Sequence, residues 1–375
     1  MSKVAKTLFA VVISVGITIA CITGCRDKKT TSVQMGATFP LTGEVASYGQ
    51  KAKRGIELAV EELNAAGGLM GKPLRIDFQD DRNDKKEAVS IMTKFATIDK
   101  VPVVFGSAGS SASLAIAPLA NRHKVILISP ISSSSQLSTE GGSFFFRTCP
   151  ADDLQAEILA NWVDESRAKQ VAIVYTNNSW GKPLAEGFQS KFVALGGKVL
   201  SSDGVTEGST DFRTIITKIK GLNGLDAVVS PTYPKEGAAF VRQARELDLK
   251  VPLFGGDNWG SPEFITIAGQ AAEGVLYTAP SESQSPEYTG FAQRYKAKYS
   301  EEPDIFGAYS FDAANAVFRA VKVAGSTNAQ KIRDSLLTVS FVGVSGHIAF
   351  RSNGDLKSEA FARKTIKNGQ AVNVE

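Results

Sequence analysis

The chain has 375 residues, room for two domains of ordinary size. With 43% hydrophobic and 21% charged residues it has globular proportions, which excludes a disordered or fibrous chain. Lys and Arg total 42 against 38 Asp and Glu, with no basic cluster of the kind that binds nucleic acid, so no nucleic acid partner is expected.

The first 24 residues read as an address. Lys3 and Lys6 precede an apolar stretch, 8–22, that falls short of the roughly 20 residues a bilayer span requires. It closes on Ile22-Thr23-Gly24-Cys25, small residues ahead of a cysteine, which resembles a lipobox, although Ile and Thr stand where Leu and Ser or Ala are commoner. The expectation is a signal peptide over 1–24, a lipidated Cys25 and a polar tether over 25–32. An uncleaved anchor or an ordinary secretory signal are the alternatives. Cleavage would remove Cys21 and leave Cys149 as the one unmodified cysteine, so no intramolecular disulfide is expected and stability must come from core burial.

Residues 33–39 form a strand ending at Pro40, and 51–66 carry helical apolar spacing (Ile56, Ala59, Val60, Leu63) up to the stop at Gly67-Gly68. Strand 74–78 and helix 85–98 follow. Next come a fully apolar strand at 101–105, a Gly/Ser loop, a helix near 111–122 and a buried strand at 125–128. After Pro150 the rhythm restarts: helix 154–165, strand 171–175, helix 184–195, strand 198–201, helix 212–220, strand 226–230, helix 236–247. Short strands at 253–254 and 275–278 precede helices 288–299, 309–324 and 329–337. Strands around 347–350 and 362–366 close the chain, the latter before Asn368-Gly369, a pair suited to a type I′ turn. Apolar strands separated by helices indicate parallel sheets covered on both faces. Two rounds of them indicate an α/β fold of two doubly wound, parallel-sheet lobes.

The motifs of common catalytic chemistry are missing. No Gly-x-Gly-x-x-Gly follows a strand, and there is no Gly-x-Ser-x-Gly elbow. The stretch 67–73 ends a helix where a phosphate loop must begin one, and Pro73 stands where that loop needs Ser or Thr. The two histidines, His123 and His347, sit outside any acid or nucleophile context, which argues against a Ser–His triad and, with the cysteines scattered, against zinc. No enzyme, cofactor or metal is expected.

What remains lies at the C-terminal ends of strands, where open α/β sheets bind ligands. Residues 106–113 (Gly-Ser-Ala-Gly-Ser-Ser-Ala-Ser) lead from a buried strand into a helix start. Their hydroxyls and free amides suit a carboxylate without Lys or Arg, or form a plain cap. Residues 129–138 hold six Ser after the next strand and double the donors, or serve as a linker. Asp257, in the glycine-rich 254–260, could pair with an ammonium group or be a turn residue.

Several fragments, taken in order, carry a resemblance. They are Phe39-Pro40-Leu41-Thr42-Gly43 with Tyr48-Gly49, Asn64-Ala65-Ala66-Gly67-Gly68, Val103–Gly106 with Ser110, Ile128-Ser129-Pro130, and Phe146-Arg147-Thr148 with Asp152. Trp180-Gly181, Arg242-Gln243-Ala244, Asp257, Asp312-Ala313 and Asn353-Gly354-Asp355 follow. Together they resemble the periplasmic binding proteins for branched-chain amino acids, the type I ligand-binding fold, over nearly the whole chain after the signal. The resemblance implies two lobes joined by a hinge of crossing segments, 33–151 plus 280–340 and 152–279 plus 341–375, closing over one small ligand. It implies that Ser110 and Ser133 hold a carboxylate, helped by backbone near Ile131, and that Asp257 takes an ammonium where Glu is usual. Tyr48 and Trp180 would wall the side-chain pocket or simply pack their loops, and Thr232 or Tyr233 would contribute from the loop after 226–230. Asp152 reads as a helix cap, and Ile131, at a position that is often small, would narrow the pocket.

The expected protein is an extracytoplasmic lipoprotein, lipid-anchored to a membrane and facing the periplasm or exterior. It would hand an amino acid, branched-chain or a related apolar one, to an ABC permease in the inner membrane. The alternatives are a sensor or envelope-regulating lipoprotein of the same fold, or a binder of amides, urea or small aromatic acids.

Overall fold

The computed structural model describes residues 32–281, 283, 285–358 and 360–374. The expected signal peptide, Cys25 and all but the last residue of the tether lie outside them. The first lobe begins with strand β1 (Val33–Phe39), helix α1 (Ala46–Ala65), β2 (Leu74–Asp80), α2 (Lys85–Lys94) and β3 (Val103–Gly106). It continues through α3 (Ser110–His123), β4 (Ile126–Ser129), the short α4 (Gln136–Glu140) and β5 (Phe145–Arg147). The five strands are parallel in the order β2-β1-β3-β4-β5. Strand β3 is a continuous apolar run because helices cover both its faces, and Val103, Val104 and Phe105 are fully buried. The helix expected over 85–98 is interrupted: α2 stops at Lys94, a π turn spans Phe95–Asp99, and Lys100 in the left-handed region (φ 51°) ends it.

The chain crosses at 148–151 into the second lobe and repeats the pattern. There α5 (Asp152–Glu165), β6 (Gln170–Thr176), α6 (Gly181–Ala194), β7 (Lys198–Val205), α7 (Arg213–Lys220) and β8 (Ala227–Ser230) come first. Then follow α8 (Pro234–Glu246), β9 (Leu253–Gly255), a 3-10 turn at Asp257–Gly260, α9 (Pro262–Ala268) and β10 (Leu276–Pro280). Strands β7-β6-β8-β9-β10 are parallel and stand in the same spatial order as the first five.

After β10 the chain returns to the first lobe as α10 (Pro286–Tyr299), α11 (Ile305–Ala324) and α12 (Ala329–Leu336), whose Phe291, Val317 and Ile332 share a core with Met35 and Ile56. Helices α1 and α11 touch so closely that a Cβ on Gly55 would lie 2.3 Å from the Gly307 carbonyl oxygen. A hairpin of β11 (Ser340–Val342) and β12 (His347–Ala349) follows. Its Ile348, with Phe350 and Leu356 beyond it, packs into the same first-lobe core. Asp312 of α11 fixes the turn, accepting from Val344 N at 3.0 Å and from Ser345 N at 2.8 Å. The stretch 341–357 therefore belongs to the first lobe, which corrects the expected boundary at 340. A third crossing leads to β13 (Phe361–Lys367) and β14 (Gln370–Asn373), which extend the second sheet to seven strands in antiparallel fashion. Asn368 (φ 54°) and Gly369 (φ 70°) make the tight turn between them.

Candidate ligand-binding cleft

Both sheets have the order 2-1-3-4-5, in which ligands collect where the winding reverses, between the first and third strands. The lobes bring these two points face to face. Tyr48 follows β1, Ser110 follows β3, and Ile131 and Ser133 follow β4; Trp180 follows β6, Tyr233 follows β8 and Asp257 follows β9. These seven residues line one cavity. The eighth expected residue does not. Thr232 is fully buried, and its hydroxyl oxygen accepts from Trp259 Nε1 at 3.1 Å, so it anchors the Asp257–Gly260 turn from behind. Of the two expected neighbours Thr232 and Tyr233, Tyr233 is the one that lines the cavity.

The first-lobe side is a lattice of hydroxyls. Ser129 Oγ donates to Ser107 O at 2.6 Å, Ser132 Oγ lies 2.7 Å from Ser113 Oγ, and Ser113 Oγ accepts from Ser107 N at 3.0 Å. Residues 106–113 and 129–135 are thus locked to each other, and the serine-rich stretch is no linker. Behind it, Arg147 is fully buried. It donates from Nε to Asp355 Oδ1 at 2.7 Å and from one terminal nitrogen to Ser133 O and Ser134 O, each at 2.9 Å. Two fragments far apart in sequence, Phe146-Arg147-Thr148 and Asn353-Gly354-Asp355, meet here to hold the loop. Ser110 opens α3, where backbone N–H groups lack intrahelical acceptors. Its hydroxyl oxygen accepts from Ser134 N at 3.3 Å, which leaves its proton for an incoming anion.

The second-lobe side is acidic. Asp257 Oδ1 is shut off from solvent and has no protein partner, and the same holds for Asp152 Oδ2. Burial pushes the Asp257 carboxyl up to about 6. Burial, and then the charge of Asp257, raise Asp152 well above the usual range, while a hydrogen bond with Ser133 acts the other way. Gln155 sits between them: oriented to satisfy both its atoms, its amide nitrogen donates to Asp152 Oδ1 at 3.1 Å and its oxygen accepts from Asp257 N at 2.9 Å. Asp152 is 1% exposed and makes no cap hydrogen bond, so it faces inward; the cap reading fails.

Aromatic rings close the remaining walls. Trp180 and Tyr233 stack at 5.3 Å and 16°, and Tyr48 meets Phe306 edge to face at 5.0 Å. Asn178 aims Trp180, its side-chain oxygen accepting from Trp180 N at 3.0 Å and Gly181 N at 2.9 Å as α6 begins. Ile131 is half-buried in the wall. The sequence reading missed Val45, Asn83, Ala108, Gly109, Asn258 and Phe306. A signal for Phe306 existed: Asp304 caps α11 by accepting from Gly307 N at 3.0 Å, so the helix starts four residues before the expected 309. Among the described residues no group of His, Cys, Asp and Glu gathers to hold a metal.

Two mirrored lobes with hydroxyl donors on one face, buried acids on the other and rings between define a two-lobed cleft protein for a small ligand. The chain belongs to the periplasmic binding protein family, whose model matches residues 32–370. It is 30% identical over 367 residues to the Leu/Ile/Val-binding protein homolog 1 of Brucella melitensis, covering 97% of each. Over 332 residues it is 28% identical to the leucine-, isoleucine-, valine-, threonine- and alanine-binding protein of Pseudomonas aeruginosa, covering 88% of each. Among solved structures it is similar to the branched-chain amino acid transporter substrate-binding protein LivJ of Streptococcus pneumoniae in complex with isoleucine. That match has 32% identity and a TM-score of 0.82, covering 92% of this chain and 100% of that one. The leucine-binding protein LivK of Thermotoga maritima matches with 30% identity and a TM-score of 0.85, covering 92% and 98%.

Proposed function

We propose that this chain is the extracytoplasmic substrate-binding lipoprotein of an ABC importer and captures an amino acid with an apolar side chain, a branched-chain one first. The observation that carries this reading is the buried carboxyl oxygen of Asp257, which lacks a partner in the wall of an aromatic-lined cavity; Asp152, close enough for its pKa to feel that charge, has a second such oxygen. A ligand ammonium group supplies the missing donors and the counter-charge. Ser110 and Ser133, with the start of α3, receive the carboxylate, and Tyr48, Trp180, Tyr233 and Phe306 enclose the side chain. The names of the relatives, Leu/Ile/Val-binding proteins and one also named for threonine and alanine, support an amino acid ligand. Charge-assisted hydrogen bonds of about 1.5–3 kcal/mol each need only a few good partners to reach the ~8 kcal/mol of a micromolar site. The ligand bridges both lobes and so stabilises their closed arrangement, with no chemical step.

Calorimetry with leucine, isoleucine and valine, set against their amides, urea and benzoate, tests the ligand class. Micromolar or tighter binding of the amino acids is expected; binding of benzoate or urea alone would overturn it. For the anchor, Cys25→Ser should leave the signal unprocessed by the lipoprotein peptidase and free the protein from membranes. A variant that still matures and fractionates with membranes would refute lipidation. Uptake of labelled leucine should fall in cells lacking the chain.

A further inference from the structure

We propose that Tyr48 is a positioning residue: by gripping Asn258 across the cleft, its hydroxyl seats Asp257 over the first-lobe half of the site, so that lobe closure and cation pairing form together. This rests on the reading of the cleft as an amino acid site. Tyr48 OH donates to Asn258 Oδ1 at 2.5 Å, and the two residues, each 7% exposed, belong to opposite lobes. Asn258 directly follows Asp257 in the Asp257–Gly260 turn.

That turn is rigid within its own lobe. Trp259 is fully buried and donates to Thr232, the Gln155 amide takes the Asp257 N–H, and a Cβ on Gly255 would lie 2.1 Å from the Trp259 ring. A grip on Asn258 therefore acts on the whole second lobe, and the place of Asp257 relative to Ser110 and Ser133 follows. Asp152 N donates to Ser133 O at 2.9 Å where the chain crosses between the lobes, and Tyr233 bonds Asn83; other bonds across the cleft are more open. Asn83 Nδ2 donates to Glu207 Oε1 at 2.9 Å and Lys235 pairs with Glu44 at 3.4 Å, both exposed to solvent that weakens them. Ser179 N donates to Ser111 Oγ at 3.1 Å in a partly buried position. The Tyr48 bond is sealed beside the ligand cavity, where a low local dielectric strengthens it, and of the buried bonds between the lobes it is the one made to the turn that carries Asp257.

Tyr48→Phe isolates the effect, because the ring keeps its edge-to-face contact with Phe306 and only the hydroxyl goes. With leucine and isoleucine as probes, stopped-flow tryptophan fluorescence should show the dissociation rate rising about tenfold, the factor expected for one buried hydrogen bond. The association rate should change less than about twofold, since the bond forms after encounter. In a double-mutant cycle, Tyr48→Phe should add nothing to Asn258→Leu. A purely packing role for Tyr48 predicts unchanged dissociation or additive variants, and either result overturns the proposal. X-ray scattering of the ligand-free proteins gives a readout without any ligand: Tyr48→Phe should enlarge the radius of gyration. Should wild type bind neither amino acid, the functional reading fails and the scattering alone decides the clasp, an unchanged radius refuting it.

Discussion

The two faces of the cleft solve opposite problems. On the first-lobe face most polar groups already have partners, the buried Asn83 Oδ1 excepted: serine hydroxyls bond each other and the backbone, and Arg147 takes Asp355 and two loop carbonyls. The second-lobe face leaves carboxyl oxygens of Asp257 and Asp152 buried without donors. A satisfied frame presents its remaining donors in fixed positions and loses little entropy when a carboxylate arrives. An unsatisfied face is costly while empty, and in the proposed function a ligand cation removes that cost on binding. Rigidity is thus concentrated on one face and binding free energy stored on the other, an instance of stability yielded at a functional site.

Breaking the satisfied face should have the largest effect. Arg147→Met leaves Asp355 buried and unpaired, and should lower the unfolding free energy by about 3–5 kcal/mol in urea denaturation. Arg147→Met with Asp355→Leu should recover most of that loss, because no charge is then stranded. If the single variant loses less than about 1 kcal/mol, the hydroxyl lattice holds the loop alone and the contrast between the faces is overdrawn.

The second-lobe face should respond with the opposite sign. Asp257→Asn removes a buried charge, so the ligand-free protein should become more stable at pH 7 while affinity for leucine drops by about 2–5 kcal/mol by calorimetry. Equal affinity in Asp257→Asn would remove the acid from the cation's environment and move a neutral ligand to first place. A smaller change sharpens the comparison: Ser110→Ala should cost about 1–3 kcal/mol of binding with little change in melting temperature. A variant that binds as wild type but melts early would make Ser110 part of the frame rather than a ligand donor.

Most of this architecture was readable in the sequence because buried parallel strands announce themselves as apolar runs. Strands β3, β4 and β8 are buried at every position. Placement at the cavity was readable where position in the fold dictates it, as for Ser110, Ser133 and Asp257 at strand ends. It was unreadable where a role depends on which way a side chain turns. Asp152 opens a helix, a place where an acid ordinarily favours the helix dipole, yet its carboxyl is buried and makes no cap bond. Thr232 and Tyr233 are neighbours on one extended segment, and only packing against Trp259 decides which faces the cavity. Asn83 stands in a turn with φ of 60°, a conformation that Asn tolerates, and nothing in that pattern speaks of a ligand. The 341–357 stretch went to the wrong lobe because its tie to the first, through Asp312, spans about thirty residues and no local signal.

The acid on the second-lobe face also makes a pH prediction that separates the faces, since the acid tied into the first-lobe lattice, Asp81, is raised by burial but holds its Ser107 and Thr38 donors and does not line the cavity. The Asp257 carboxyl rises from 3.8 to about 6. Between about pH 4 and pH 6 the folded, ligand-free protein therefore keeps a proton that the unfolded chain has released, and this group's contribution to stability falls as pH rises through that window. Ligand affinity should run the other way. A cation needs Asp257 ionised, so affinity for leucine should hold above pH 7 and weaken about tenfold by pH 5. At pH 6, binding should release roughly half a proton, measurable by calorimetry in buffers of different ionisation heat. Burial and the charge of Asp257 both disfavour a second anion at Asp152. Asp312, also near 6, shares the stability window, but it bonds the 344–345 turn outside the cleft and should leave affinity alone. The affinity profile thus belongs to Asp257, and Asp257→Asn should flatten it. A wild-type profile already flat from pH 5 to pH 8 would show that the ligand does not meet this charge.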